Sequence, residues 1–163
     1  MTHTRLPVHV LTGFLGSGKT TLLSALLSQP ALKDTLVIVN EIGEVSFDHL
    51  LLTEVGEEIV VQLEGGCVCC IVRGDLLRTL SAAHAQLSAD GSSRFARVVI
   101  ETSGLATPDA IIRTIMLDAK ISTLYTLGRV AATYDCLHGA DTLETFAEAR
   151  AQVAAADTLV LTK

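Results

Sequence analysis

Aromatic residues are scarce in this chain. Tryptophan is absent, and Phe, Tyr and Trp together make up 4% of 163 residues while hydrophobic residues of all kinds reach 49%. The core must therefore be built from Leu, Val, Ile and Ala, the usual material of a parallel sheet covered by helices. Positive charge is also short: 12 Lys and Arg stand against 18 Asp and Glu, a formal net charge of −6. That balance argues against non-specific binding to nucleic acid or to an anionic membrane surface. No run of about eighteen apolar residues occurs, so no membrane-spanning helix is expected. The opening residues lack the basic start, long apolar run and small-residue cleavage site of a secretory signal. Cysteine is limited to four residues, three of them between positions 67 and 70. That clustering is wrong for a secreted disulfide framework and right for a reduced compartment where thiols serve a metal. The expectation is a cytoplasmic protein with neither nucleic acid nor membrane as partner. Its length suits one domain, and it contains no internal repeat or low-complexity segment.

What the chain does have is Gly13-Phe14-Leu15-Gly16-Ser17-Gly18-Lys19-Thr20, which fits the phosphate-loop pattern G-x-x-x-x-G-K-[ST] residue for residue. Such a loop needs a strand before it and a helix after it, so that backbone N–H groups converge with a helix N-terminus behind them. Val8–Leu11 reads as the strand. Residues 20–27, with apolar positions 22, 23, 26 and 27, read as the helix. Gly13, Gly16 and Gly18 allow positive φ and close backbone approach. Lys19 would place its ammonium on the β- and γ-phosphates, and Thr20 would give its hydroxyl to Mg²⁺.

Further along, Thr35–Val39 is a β-branched strand that delivers Asn40-Glu41-Ile42-Gly43-Glu44 to its carboxyl end, where doubly wound sheets place ligands. The two carboxylates there need a cation to offset them near a triphosphate, or else lie in a solvated loop. Residues 59–63 form a short strand, and a helix follows Arg73-Gly74-Asp75 to about Leu87. Residues 95–100 form a buried strand, and a helix starts near Pro108 and runs to about Leu117. Val130–Tyr134 is a strand, 143–155 a helix and 158–161 a last strand. This alternation predicts an α/β fold, a mainly parallel sheet with helices on both faces.

Cys67-Val68-Cys69-Cys70 follows two glycines and places three thiols on one short segment. Thiolates select Zn²⁺, Co²⁺ or Cu(I) over Mg²⁺ or Ca²⁺, and a tetrahedral site needs a fourth ligand, for which Glu44, a histidine or water are the options. The competing readings are a cluster of buried cysteines or a redox pair. Cys136, after Tyr134-Asp135 at a strand end, reads as a small packed residue. Glu101-Thr102-Ser103-Gly104 ends a buried strand. Glu101 can hold Mg²⁺ through water and Gly104 can offer its N–H to a γ-phosphate, the alternative being a carboxylate that only caps the next helix. The five histidines are scattered, with His49 the one lying nearest to Glu44 in sequence.

These residues together resemble the CobW-type metallochaperone P-loop GTPases, relatives of nickel-insertion and urease-maturation GTPases. The resemblance rests on Gly13 to Thr21, on Asn40 to Glu44, on Gly66 to Cys70 with Arg73 to Leu76, and on Glu101 to Ala106. The run from Gln152 to Lys163 also looks like the family's approach to its guanine-specificity motif. The resemblance implies a three-layer P-loop NTPase fold that uses GTP and Mg²⁺. It implies nucleotide contacts at Gly13, Phe14, Leu15, Gly16, Ser17, Gly18, Lys19, Thr20, Thr21, Gly104, Thr162 and Lys163, with Lys19 and Glu101 as the catalytic residues. Mg²⁺ is expected at Thr20 and, through water, at Glu101. Zinc or cobalt is expected at Cys67, Cys69 and Cys70 with Glu44. The implied function is a GTP-hydrolysing metallochaperone that couples hydrolysis to delivery of the metal to a client metalloprotein of unknown identity. The alternative is a non-catalytic metal-binding module with a truncated nucleotide site. Two departures stand out: Ile42 occupies a position where the family often has Phe, and the chain stops at Thr162-Lys163, before the Asp of [NT]-K-x-D. Residues 1–163 are thus expected to be a P-loop GTPase domain, incomplete at its C-terminal end and without a second domain.

Overall fold

The computed structural model describes residues 5–32, 34–39, 60–62, 71–85 and 95–163. Among these residues six strands form one sheet: β1 (Leu6–Gly13), β2 (Thr35–Val39), β3 (Val60–Gln62), β4 (Arg97–Glu101), β5 (Tyr125–Asp135) and β6 (Thr158–Thr162). Their order is β3-β2-β4-β1-β5-β6, and every neighbouring pair is parallel. The helices are α1 (Lys19–Leu27), α2 (Ile71–Ala85), α3 (Asp109–Leu117), α4 (Ile121–Leu124), α5 (Gly139–Thr145) and α6 (Ala147–Ala155).

The side-chain alternation of a strand sends successive residues to opposite faces, and here both faces are apolar. On one face Val8, Val10, Leu36, Ile38, Val98, Ile100 and Val130 pack with residues of α2, α3 and α4 into the larger core. On the other, Leu11, Val37 and Val39 pack against Leu23 and Leu27 of α1. Helices on both faces of a parallel sheet make the three-layer fold that the strand and helix alternation implies. Tyr125 is fully buried in the larger core, where its hydroxyl donates to the Leu80 carbonyl at 2.8 Å. Burial there pushes the phenol up to about 12.

The elements depart from the sequence expectation in four places. The strand expected at 130–134 begins at Tyr125. Gly128 sits inside it because a side chain there would meet the His9 ring, its Cβ coming within 2.8 Å of two ring atoms. The helix after the cysteines starts at Ile71, ahead of Gly74. A four-residue helix, α4, had no sequence signal beyond Asp118, whose Oδ1 accepts from the N–H groups of Lys120 and Ile121. The single helix expected over 143–155 is two helices, broken at Phe146, which adopts an extended backbone at φ −113°.

His9 is held neutral by its surroundings. Its Nδ1 accepts the Arg129 N–H at 3.0 Å, a bond that a protonated nitrogen could not make. Burial first, then the Arg97 and Arg129 guanidinium groups, push its pKa below the ordinary 6.5, with Asp157 opposing them. Below about pH 6.5 the unfolded chain therefore binds the proton more readily than the folded one, so this contribution to stability is complete above that pH and is lost as pH falls. Urea unfolding midpoints should accordingly decline less between about pH 7 and 5.5 in a His9→Gln variant, which stays neutral and keeps an acceptor, than in the parent chain. Parallel declines would show that His9 does not titrate with folding.

Candidate functional site

β1 ends in the glycine-rich loop, and β4, its parallel neighbour, ends at Glu101; Leu11 stands opposite Glu101 in the register. The two segments leave the sheet side by side. Two further bonds fasten them: the Thr102 N–H donates to the Leu11 carbonyl at 2.9 Å, and the Thr102 hydroxyl donates to Thr12 Oγ1 at 2.9 Å.

Within the loop Gly13, Gly16 and Gly18 all adopt positive φ, at 142°, 69° and 88°. Gly18 is the N-cap of α1, with no side chain closing that helix end. The first-turn N–H groups of a helix lack intrahelical acceptors, and a glycine cap leaves them facing whatever lies in the concavity of the loop. Lys19, only 9% exposed, reaches back over the loop and donates to the Phe14 carbonyl at 3.2 Å. Ser17 turns the other way, bonding to the Phe14 carbonyl at 2.7 Å and sharing a 2.6 Å hydrogen bond with Thr133 of β5.

Thr20 donates from its hydroxyl to Glu101 Oε1 at 2.8 Å, joining the first turn of α1 to the end of β4. Glu101 is 4% exposed, at the wall of a cavity of about 300 Å³ lined by Gly16, Gly18, Lys19, Thr20, Glu101 and Gly104 among others. Gly104 closes this cavity against the loop: a Cβ there would come within 2.8 Å of the Leu15 N and Cα atoms, so only glycine fits. A buried cation, uncapped helix N–H groups and a hydroxyl–carboxylate pair meet around one space. That set suits a polyphosphate together with a hydrated divalent ion, because anion and cation donors are both present and adjacent.

Thr162 and Lys163 arrive from β6. Thr162 Oγ1 donates to the Ser17 carbonyl at 2.9 Å and lies 3.1 Å from the Tyr134 carbonyl. Lys163 Nζ pairs with Asp135 Oδ2 at 2.9 Å. That ammonium first, then the N–H groups of Leu137 and His138, hold the Asp135 carboxyl below the usual carboxylate range.

The expected nucleotide contacts from Gly13 to Thr20, with Glu101, Gly104, Thr162 and Lys163, are thus brought to one edge of the sheet, and Thr21 is exposed at its mouth. Glu44, Cys67, Cys69 and Cys70, like His49, lie outside the described residues. Among the described residues no group of three or more His, Cys, Asp or Glu side chains could hold a metal ion, and no helix is long and apolar enough to cross a membrane. The reading of Cys136 as a packed residue is corrected: it is exposed, because it falls in the turn that Asp135 caps beyond the end of β5. Asp135 and Gln152 were not picked out from sequence. The signal for Asp135 was a carboxylate at the end of a strand beside the β6 motif, and for Gln152 a lone amide in an alanine-rich helix.

Residues 7–163 match the family profile described as the CobW/HypB/UreG nucleotide-binding domain. The chain belongs to this family. It is 38% identical to the zinc chaperone YjiA of Escherichia coli over 156 residues, which are 96% of this chain and 48% of YjiA. It is 33% identical to the zinc-regulated GTPase metalloprotein activator 1 of Schizosaccharomyces pombe over 163 residues, 96% of this chain and 38% of that protein. The chain therefore spans half or less of the length of these relatives. Among solved structures, a zinc-bound triple mutant of YjiA GTPase superposes with a TM-score of 0.71 at 33% identity, covering 98% of this chain and 50% of that one. The GDP complex of the signal recognition particle receptor FtsY from Elizabethkingia anophelis, at 19% identity and a TM-score of 0.59, shares the fold alone; it covers all of this chain and 50% of that one. Membership in the CobW/HypB/UreG nucleotide-binding family accords with the loop, the β4 end and the parallel sheet described above.

The geometry of the loop makes a direct prediction. A Cβ at Gly13 would collide with Thr133 Oγ1 and sit 2.8 Å from the Thr133 carbonyl, at a φ that L side chains avoid. Gly13→Ala should therefore cost roughly 1–3 kcal/mol, the usual scale of forced overpacking. Chemical denaturation gives the value; a change under about 0.5 kcal/mol, the size typical of neutral surface substitutions, would show that β1 and β5 are not held as close as described.

Proposed function

We propose that this chain binds GTP with Mg²⁺ in the cavity between the glycine-rich loop and residues 101–104, hydrolyses it, and couples hydrolysis to the delivery of zinc, or cobalt, held at Cys67, Cys69 and Cys70 with Glu44. The observation that carries the nucleotide half is the meeting of Lys19, the uncapped start of α1 and the Thr20–Glu101 pair around one cavity. The metal half is supported by the clustered thiols in the sequence and by the zinc in the names of the relatives.

In this reading the loop N–H groups of residues 16 to 20 cradle the β-phosphate, and the Lys19 ammonium exchanges its bond to the Phe14 carbonyl for the β- and γ-phosphate oxygens. Thr20 and Glu101 fit Mg²⁺, since a hydroxyl that donates to a carboxylate keeps its lone pairs for a cation. When bound, that ion would neutralise charge developing on the phosphate oxygens. In the same reading the Gly104 N–H donates to the γ-phosphate, so that this segment would be held with a triphosphate and released with a diphosphate. Thr162 and Lys163 sit on the loop from the β6 side, where the stem of Lys163 would pack on the base.

Two variants test the halves separately. Lys19→Ala should weaken triphosphate binding by about tenfold or more, because a charge-assisted hydrogen bond contributes about 1.5–3 kcal/mol. Titration with a fluorescent non-hydrolysable GTP analogue measures this, and unchanged affinity would refute the assignment of the cavity. Replacing Cys67, Cys69 and Cys70 together with Ser should abolish the thiolate-to-Co²⁺ charge-transfer absorption, because hydroxyls are poor ligands for borderline-soft ions. Retention of that absorption in the triple variant would place the metal elsewhere.

A further inference from the structure

We propose that Gln152 of α6 is a positioning residue that holds the Gly104 segment in its γ-phosphate-contacting conformation, and so sets the preference for a triphosphate over a diphosphate. The inference rests on the reading of the loop cavity as the phosphate site. Gln152 is 1% exposed. Its Nε2 donates to the Gly104 carbonyl at 3.1 Å and to the Ala106 carbonyl at 2.9 Å, so both amide hydrogens are spent on one turn of the segment after β4. Its Oε1 is buried and has no hydrogen-bond partner among the described residues. A buried amide that spends both donors on one turn and leaves its acceptor unmade does more than fill space, since methionine or leucine would pack there but leave the two carbonyls without these bonds.

Within the turn it grips, the Leu105 N–H donates to Ser103 Oγ at 3.3 Å. Ala106 N–H donates to the Ser103 carbonyl at 3.1 Å, and Leu105, between the two gripped carbonyls, is 48% exposed. At its other end the segment meets the loop, where Gly104 lies against Leu15. Gln152 therefore fixes the orientation of the peptide groups around Gly104, while the loop fixes their distance from the phosphate cavity. The same pair of helices touches the loop itself: Phe146, at the break between α5 and α6, packs on Phe14 with ring centroids 4.6 Å apart. The end of α5 and the start of α6 thus touch the glycine-rich loop through Phe146, while α6 holds the segment after β4 through Gln152.

Removing the amide should leave the β-phosphate cradle intact, because both Gln152 hydrogen bonds go to the segment after β4 and neither goes to residues 16 to 20, and should loosen only the group that meets the third phosphate. Gln152→Met keeps the length of the side chain and removes both donors. In the full chain with Mg²⁺, affinities for fluorescent GDP and for a fluorescent non-hydrolysable GTP analogue are compared by titration. The expected result is unchanged GDP affinity and a triphosphate affinity lower by about tenfold, the scale of one lost hydrogen bond to a charged oxygen. An unchanged ratio, or equal loss for both nucleotides, would overturn the proposal, the second outcome being that of a residue that matters only for folding. If Gln152→Met does not fold, Gln152→Ala removes the same donors and admits water to the two carbonyls, and the same ratio decides. Failure of the parent chain to bind either nucleotide would instead refute the phosphate-site reading, and this proposal with it.

Discussion

The parallel pairing of β1 with β4, Leu11 opposite Glu101, is the constraint on which the candidate site depends. It takes two segments about ninety residues apart in sequence and releases them from one edge of the sheet, so that Thr20 and Glu101 come within 2.8 Å. Parallel strands send all their carboxyl ends the same way, and a sheet with β1 flanked by β4 and β5 delivers three chain segments to a single crevice. β6 adds a fourth, since Asp135 pairs with Thr162 in the register and Lys163 then reaches Asp135. None of these contacts is local, which is why a stable core must precede the site. That core is the near-complete burial of Val8, Val10, Leu36, Ile38, Val98 and Ile100, on strands flanked by helices.

Charge placement follows from the same arrangement. A net charge of −6 gives a chain no general attraction for phosphates. The attraction has to be built locally, from Lys19 at low exposure and from helix N–H groups that carry no side-chain cap. Sheltered from water, these donors act at a lower effective dielectric than surface lysines would. Lys163 is treated differently: its carboxylate partner Asp135 is itself fixed by two backbone N–H groups, so the ammonium is anchored near the loop while remaining partly exposed.

Much of this was legible in the sequence, and the reason is physical. The glycine-rich loop demands positive φ at fixed offsets, and glycine adopts it without steric cost, so Gly13, Gly16 and Gly18 announce their conformation directly. Strand β2 was readable because five consecutive residues are buried on both faces of the sheet. The breaks and extensions were not legible, because long-range contacts decide them. Phe146 interrupts a helix-forming stretch while packing on Phe14, more than a hundred residues earlier, and Gly128 continues β5 because the His9 ring occupies the place of its side chain. Cys136 misled for a related reason: cysteine is usually packed, but the turn after β5 turns outward under the cap of Asp135. Gln152 carried no motif, since its role depends on where α6 lands relative to the segment after β4. The thiols and Glu44 lie outside the described residues, so sequence chemistry alone speaks for them.

Coupling between nucleotide and metal is the central claim. Gln62, the last residue of β3 before the segment that carries the cysteines, pairs with Val39 of β2, and Val39 pairs with Glu101. Strands β2 and β3 thus end, at Val39 and Gln62, on the edge of the sheet where the phosphate loop opens. Linkage requires that a triphosphate change metal affinity by the same factor as metal changes triphosphate affinity. The most direct test is the zinc affinity of the anaerobically purified chain with a non-hydrolysable GTP analogue, with GDP and with no nucleotide. The account predicts that the triphosphate state differs from the other two by about fivefold or more, the lower end of ordinary coupling energies; equal zinc affinity in all three states would contradict it.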